Sequence, residues 1–426
     1  MRRDCPACAA GALEPLLTVE RSPVLTGVLF PSRSAALAAV RRSLDIHLCG
    51  RCGTLVNVAF DPALIDYDGA YDNSLHFSPT FRGYAEQLAR RLARKYDLAG
   101  RRVVEIGSGK GDFLRDLCRI GSCSGTGYDP TYVGPERDPE ADITFVVDYY
   151  GPRYADLPAD FVVCRHVLEH VVDPRAFLAD VRAALGGRDA GLYLEVPNGA
   201  FMLSEAGAWD YIYPHVTYFS PAGLARVASA AGFDVVATGT SFGDQFLWLE
   251  ARTGGRTGAP APGEPAPGED AAATAAYIEC GRAFGDTYRA VIRRWSEEIV
   301  QMSIRGSDGG LAGPRSMTVR SGVSGGGRET RSHTDGISGG VLVWGAGSKG
   351  VNFLNVLDPG PVVRAIVDLN PRKRGKYIPG TGHRVIAPEE VPSLSVDRVL
   401  LPNSLYLDEV RGLLDELGAR AEVVPL

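Results

Sequence analysis

From Arg102 onward, short apolar runs alternate with stretches of helical spacing, and this alternation constrains the fold more than any other feature of the chain. VVEIG, SGTGYD, ITFVVD, DFVVCR and GLYLEVP each read as a strand. Strands separated by helices in this way predict a mostly parallel sheet with helices on both faces. FDVVATGTS and QFLWLEAR read as closing antiparallel strands, and Tyr84, Leu88, Leu92 and Tyr96 place a helix ahead of the first strand. Arg252 to Asp270, rich in Gly, Pro and Ala, reads as a linker, and Ala271 to Met302 as a helix. Ser303 to Gly340 carries too little apolar surface to order itself and reads as a flexible insertion. A second, smaller α/β unit begins with VLVW at Val341 and continues through AIVD and RVLLP.

A chain of 426 residues exceeds one ordinary core. A net charge of −6 with no dense Lys/Arg stripe argues against nucleic acid as the main partner. Charged residues and a Cys-Pro-Ala-Cys run stand where a signal peptide would have its apolar core, and no apolar run approaches a membrane span. The expectation is a cytoplasmic protein with no membrane partner and with reduced thiols, so paired cysteines point to metal.

Cys5, Cys8, Cys49 and Cys52 form Cys-x-x-Cys twice. Two intervening residues let both sulfurs reach one tetrahedral ion, and Gly50 and Gly53 permit the tight turn. A loop or hairpin fills the long spacing between the pairs. Four thiolates leave no open position, so the expected zinc is structural. Cys118, Cys123, Cys164 and Cys280 lack this spacing and read as small apolar fillers.

Glu105-Ile-Gly107-Ser-Gly109-Lys-Gly111 follows the strand VVEI and precedes a helical run, so the backbone can approach a ligand closely. Asp129 ends the next strand, where a carboxylate accepts bonds from ribose hydroxyls. An acid before the first glycine repels a pyrophosphate but suits the cationic ammonium and sulfonium of S-adenosylmethionine. For Asp148, closing the third strand, a place near the adenine and a surface turn fit equally well.

VVEIGSGKGDFL resembles the first motif of class I S-adenosylmethionine-dependent methyltransferases. The cysteine knuckles, YDNSLHFSP, RHVLEHVVDP, EVPN and WDYIYPHVTYFSP resemble the bacterial sugar C-methyltransferase group, in which a zinc-binding segment precedes the methyltransferase domain. VLVWGAGSKGVNFLN and VDLNPRKRGKYIPGTG resemble that group's C-terminal domain. The implied organisation is a zinc-binding segment over residues 1–66, a Rossmann-like methyltransferase domain over 67–252, the linker, helix and insertion over 253–340, and a Rossmann-like substrate- or nucleotide-binding domain over 341–426. The implied substrate is a nucleotide-linked sugar or a related small molecule, with methylation at carbon favoured over oxygen.

Tyr213 and His215 lie in a loop after LYLEVP, where an α/β sheet places catalytic groups. The resemblance implies that His215 is the base and that Tyr213 orients the substrate. Related sequences carry Glu before this histidine, whereas Pro214 stands here. His166 is expected to line the cofactor or substrate pocket. His166, Glu169 and His170 also spell an inverted zinc-protease pattern, but that pattern needs a long helix, and these residues directly follow a buried strand. Glu169 and His170 are expected to make structural bonds. Tyr71 and His76 read either as a lid over the substrate or as ordinary packing residues.

In the tail, Gly345-Ala-Gly347-Ser-Lys349-Gly350 follows a strand, and Asp368 ends the next one, with the spacing of a dinucleotide fingerprint. One reading is a site for the substrate's nucleotide or diphosphate, with Lys349 and Lys373 adding charge. Another is a true NAD site, which would make the chain an NAD-dependent oxidoreductase. A glycine turn that binds nothing is the third. A non-catalytic zinc-containing binding protein is a further possibility, raised by Pro214.

Overall fold

The structure is a computed structural model that describes residues 4–9, 13–65, 71–72, 74–205, 207–254, 270–308 and 340–426. Residues 255–269 of the expected linker and residues 309–339 of the expected insertion lie outside the described residues.

A hairpin fills the space between the cysteine knuckles. Strand β1 (Leu13–Pro23) reaches helix α1 (Arg33–Leu37), which is capped by the Ser32 hydroxyl. The chain returns as β2 (Arg41–Cys49), antiparallel to β1 with Leu13 opposite Cys49. After the second knuckle it continues into β3 (Leu55–Asn57), antiparallel to β2.

Helix α2 (Pro79–Lys95) begins at Ser78, whose hydroxyl accepts from Phe81 N, and it buries Phe81, Ala85, Leu88 and Leu92. The alternating region then forms the expected sheet. Its elements are β4 (Arg102–Ile106), α3 (Asp112–Gly121), β5 (Ser124–Tyr128), β6 (Ile143–Val146), β7 (Phe161–Arg165), α4 (Pro174–Leu185) and β8 (Gly191–Pro197). Helix α5 (Gly199–Ser204), the short strand β9 (Thr217–Tyr218) and helix α6 (Pro221–Ala230) lead to β10 (Asp234–Ser241) and β11 (Phe246–Arg252). The strand order is β6-β5-β4-β7-β8-β11-β10. The strands from β6 to β8 run parallel, and β11 and β10 close the sheet antiparallel. Order reverses between β4 and β7, and a ligand cleft opens at the carboxyl ends of such a pair.

β9 leaves this sheet and pairs with the N-terminal hairpin, with Leu55 opposite Tyr218 and Val56 opposite Thr217. The N-terminal segment therefore shares a four-stranded sheet with the region that builds the seven-stranded sheet.

Helix α7 (Ala271–Asp308) continues beyond Met302 and packs on β1, β2 and α5. Cys280, expected as a filler, is exposed on it, whereas Cys118, Cys123 and Cys164 are buried. The tail comprises β12 (Gly340–Trp344), α8 (Ser348–Leu357), β13 (Val363–Val367), β14 (Val385–Ile386), β15 (Val396–Leu401), α9 (Leu407–Glu416) and β16 (Glu422–Pro425). Its strands are all parallel in the order β14-β13-β12-β15-β16, a second Rossmann-like unit. One apolar core joins Leu44 and Ile46 of the hairpin, Phe284 and Trp295 of α7, and Val343 and Phe353 of the tail. Phe30 and Tyr377 add two backbone hydrogen bonds of 3.0 and 2.9 Å between hairpin and tail. Among the described residues, no helix is long and apolar enough to cross a membrane.

Candidate active site

The carboxyl ends of both parallel sheets face one cavity of about 440 Å³. Its lining includes Glu105, Gly107, Gly109 and Asp129 from one glycine loop and Gly345, Gly347, Lys349, Gly350 and Asp368 from the other. His166, Glu169, His170 and His215 line the same space, as do Tyr71 and His76.

The first loop is built as a backbone cradle. Gly107 has φ +73°, and a side chain there would collide with Val167. Gly109 has φ +55° with open space where a side chain would stand. Gly111, with φ +83°, heads α3 without a side-chain cap, which leaves the helix N-terminus open toward a ligand. Asp129 accepts from Gly109 N at 2.7 Å and from Thr131 N and Oγ1, both at 2.7 Å, so its carboxylate is held at the mouth of the loop. Glu105 is 3% exposed and its Oε2 has no hydrogen-bond partner. Burial, reinforced by Asp112 and Asp129 and opposed by Arg165, pushes its carboxyl up to about 8. An orphaned buried carboxylate oxygen is costly unless a cation or donor satisfies it. The cationic methionine end of S-adenosylmethionine fits that need, and Asp129 fits its ribose.

A polar cluster lies beside the loop at the ends of β7 and β8. Glu195 is fully buried and accepts from Arg165 Nε at 2.9 Å and from Tyr193 at 2.8 Å; Tyr84 also donates to it. Burial opposes its charge, but Arg165 and His166 hold its carboxyl well below the usual range. His166 has φ +55°, a strained conformation for a residue with a Cβ. Its Nε2 lies 3.2 Å from Glu195, close enough for attraction but not aligned as a hydrogen bond.

The 3-10 turn Leu168–His170 carries the next groups. His170 Nδ1 lies 3.1 Å from the Pro214 carbonyl, and Val216 N donates to the Glu169 carbonyl at 2.8 Å. These bonds tie the turn to the loop that holds His215. The His170 and His215 rings meet edge to face at 4.8 Å. Burial lowers both imidazoles, His170 to about 4 and His215 well below its ordinary value. Glu169 makes backbone bonds as expected, but its side chain also lines the cavity, with Oε2 buried and unpartnered. Sequence reasoning missed that role, because spacing alone does not tell which way a side chain in a short turn points.

Three expected site residues do not reach the cavity lining: Gly111, which turns the chain into α3, Tyr213 and Asp148. The Tyr213 hydroxyl accepts from Asp61 N at 3.0 Å and donates to the Ala59 carbonyl at 3.4 Å, and its ring stacks on Phe60. It is directed at the N-terminal segment and cannot orient a ligand in the cavity. Asp148 is bonded to Arg153, Tyr154 and its neighbour's backbone at an exposed turn, which is the surface alternative of the two sequence readings.

The tail loop differs from the first in its charges. Asp368 accepts from Ala346 N and Asn370 N, both at 2.8 Å, and pairs with buried Lys373 at 3.3 Å. Lys349 pairs with Asp210 at 2.8 Å across the cleft. The two lysines expected to offer free charge to a substrate are thus engaged within the protein. Gly350 is required where it stands, since a Cβ there would strike the Gly345 carbonyl. Gly347 caps α8 without a side-chain acceptor, so this helix N-terminus also opens on the cavity. Gln245 and Asn403 bridge the domains with reciprocal amide bonds of 2.9 and 3.0 Å.

At the far end of the hairpin, Cys5 and Cys52 sulfurs are 3.7 Å apart and those of Cys8 and Cys49 are 3.6 Å apart. All four sulfurs lie within 4.8 Å of one another. A disulfide needs about 2.05 Å, whereas a tetrahedron of bonds near 2.3 Å has edges of about 3.8 Å. The donor set and spacing suit one tetrahedral ion.

Comparison with known proteins gives the class that this geometry defines. Residues 78–238 match the family model of a methyltransferase domain, and residues 334–419 match that of a C-methyltransferase C-terminal domain. The chain is similar to the ubiquinone biosynthesis O-methyltransferase of Xanthomonas oryzae pv. oryzae, with 32% identity over 133 residues, 28% of this chain and 54% of the relative. The chain thus spans about half the length of that relative. It is 29% identical over 164 residues to the enzyme of the same name from Xanthomonas euvesicatoria pv. vesicatoria, covering 34% of this chain and 67% of the relative. Among solved structures, magnesium protoporphyrin IX methyltransferase from Synechocystis PCC 6803 aligns with 41% of this chain and 84% of its own, at 18% identity and a TM-score of 0.33.

Proposed function

We propose that the chain is an S-adenosylmethionine-dependent methyltransferase that acts on a small molecule, a nucleotide-linked sugar, at carbon in preference to oxygen. The observation that carries this reading is Glu105, a buried carboxylate with an unpartnered oxygen at the head of a glycine cradle that also holds Asp129. When bound, the cofactor supplies an electrophilic methyl group. Glu105 neutralises its cationic end, Asp129 receives its ribose, and the open start of α3 accommodates its polar atoms. His215, on the same cavity, takes the proton that the acceptor must lose; burial keeps its imidazole neutral and able to accept. The match of the tail to a C-methyltransferase C-terminal domain supports carbon as the acceptor atom. The uncapped N-terminus of α8 supports an anionic acceptor, with the diphosphate of a nucleotide-sugar as the class of best fit. The engagement of Asp368 by Lys373 argues against NAD at the tail loop. The four sulfurs hold a structural zinc ion.

Calorimetric titration with S-adenosylmethionine, S-adenosylhomocysteine and NAD tests the cofactor. Binding of the first two and weakening of S-adenosylmethionine by Glu105→Gln are expected. Preferential NAD binding sinks the reading. A panel of nucleotide-sugars with radiolabelled methyl donor then tests the acceptor class.

A further inference from the structure

The mechanism above uses His215 and leaves a second buried titratable group on the same cavity without a task. Glu169 is 2% exposed, and its Oε2 finds no donor. The His215 Nδ1 is likewise buried and unpartnered. The side-chain ligating atoms of Glu169, His170 and His215 lie within 4.8 Å of one another. Backbone bonds fix this neighbourhood: Val216 N donates to the Glu169 carbonyl, and Asn57 N donates to the Val216 carbonyl at 2.9 Å. A carboxylate and an imidazole held this way, each with an unsatisfied polar atom, form a proton-transfer pair.

We propose that Glu169 is the proton-accepting partner of His215. The proposal rests on the reading of His215 as the base. The acceptor's C–H or O–H bond breaks and its electron pair forms the new bond to the methyl group. The proton passes to a ring nitrogen of His215 and on to a carboxylate oxygen of Glu169. The leaving sulfur keeps the pair of the broken S–C bond, so the sulfonium loses its positive charge as the carboxylate loses its negative one. No net charge is left behind in a buried site, which is the physical advantage of storing the proton on Glu169. Glu169 acts through His215 and is a positioning and proton-storing residue.

The charged and titratable groups facing the pair are His166 and His170 from the adjoining segment, and Glu195 from β8 with Arg165 of β7 behind it. Cys164 of β7 and Tyr218 of β9 complete the set. Burial and the nearby Glu195 charge hold the Glu169 carboxyl up to about 8 in the ligand-free protein. A bound sulfonium favours its ionised form.

The test needs no identified acceptor. The chain contains seven histidines, and carbon-13-labelled histidine resonances can be followed from roughly pH 5.5 to 9.5. His215 is identified by its disappearance in His215→Asn. Its signal should shift through a step near pH 8 as Glu169 ionises, Glu169→Gln should abolish that step, and Glu169→Asp should retain a displaced one. His383, held between Thr381 and the Gly360 carbonyl in the tail, serves as the control that should not respond. A step unchanged in Glu169→Gln, or no step in the wild type, overturns the proposal. So does stoichiometric cobalt(II) binding to zinc-loaded protein that vanishes in Glu169→Gln, because the residues would then be metal ligands. Failure of the wild type to bind S-adenosylmethionine overturns the methyltransferase reading itself, a result distinct from loss of the histidine step.

Discussion

Leu55 of the N-terminal hairpin pairs across an antiparallel ladder with Tyr218, three residues beyond His215. The cysteine cluster sits at the turn that joins β2 to β3, and the Ser220 hydroxyl donates to the Cys52 carbonyl. Whatever fixes the four sulfurs therefore also fixes the loop that carries the candidate base. Chelation of the proposed zinc ion, or Cys49→Ser with Cys52→Ser, should raise amide hydrogen exchange over residues 212–220 while leaving the 105–111 loop protected. Hydrogen-exchange mass spectrometry reads both regions in one experiment. Equal protection with and without metal would uncouple the knuckle from the site.

Replacing Glu105 by Gln removes a charge that the cofactor's cation needs. A charged hydrogen bond of this kind is worth about 1.5–3 kcal/mol, or roughly 10- to 150-fold in affinity. Calorimetry should show that loss for S-adenosylmethionine, and unchanged affinity would remove Glu105 from the site.

Ligand-free stability should fall as pH rises from about 6.5 to 8. Glu105 and Glu169 have carboxyls raised to about 8 in the folded chain, so folding holds protons that the unfolded chain releases above its ordinary carboxyl range. Their contribution is complete below that ordinary range and is lost as pH approaches 8. His170 and His215 act oppositely: both are lowered by burial, so stability falls as pH drops below about 6.5. Between these limits the raised acids decide the slope. Scanning calorimetry across this range checks the sign, and Glu105→Gln should flatten the upper limb.

Tyr213→Phe separates a structural role from a catalytic one. The variant leaves Asp61 N without its acceptor and should cost about 1 kcal/mol of stability. Cofactor affinity should not change. Normal thermal stability combined with a kcat loss greater than tenfold would return Tyr213 to the chemistry.

Lys349→Ala should leave Asp210 unpaired in a cleft where its side chain is 14% exposed. The expected cost is about 1–2 kcal/mol, seen as separate melting of the tail from the first sheet in calorimetry. A single transition at wild-type temperature would show that the pair contributes nothing to docking.

The sequence by itself determined the elements of both sheets, because buried parallel strands must be continuous apolar runs and their period is local. It also determined the two glycine loops, since glycines directly after a strand let the backbone approach a ligand closely, and Gly107 takes φ +73° there. The cysteine spacing announced a four-sulfur cluster for the same local reason. What local pattern does not encode is direction. Tyr213 and His215 are two residues apart in one loop, yet the tyrosine is bonded to Asp61 and only the histidine reaches the cavity. Glu169 read as a structural residue, and only the long-range contact of its turn with the 214–216 loop brought its carboxyl beside His215. The fate of the tail's charges was also tertiary: Lys349 meets Asp210, which lies 139 positions away in the chain. Residue type and spacing set which groups are available, and packing between distant segments decided which of them face the cavity and which neutralise one another.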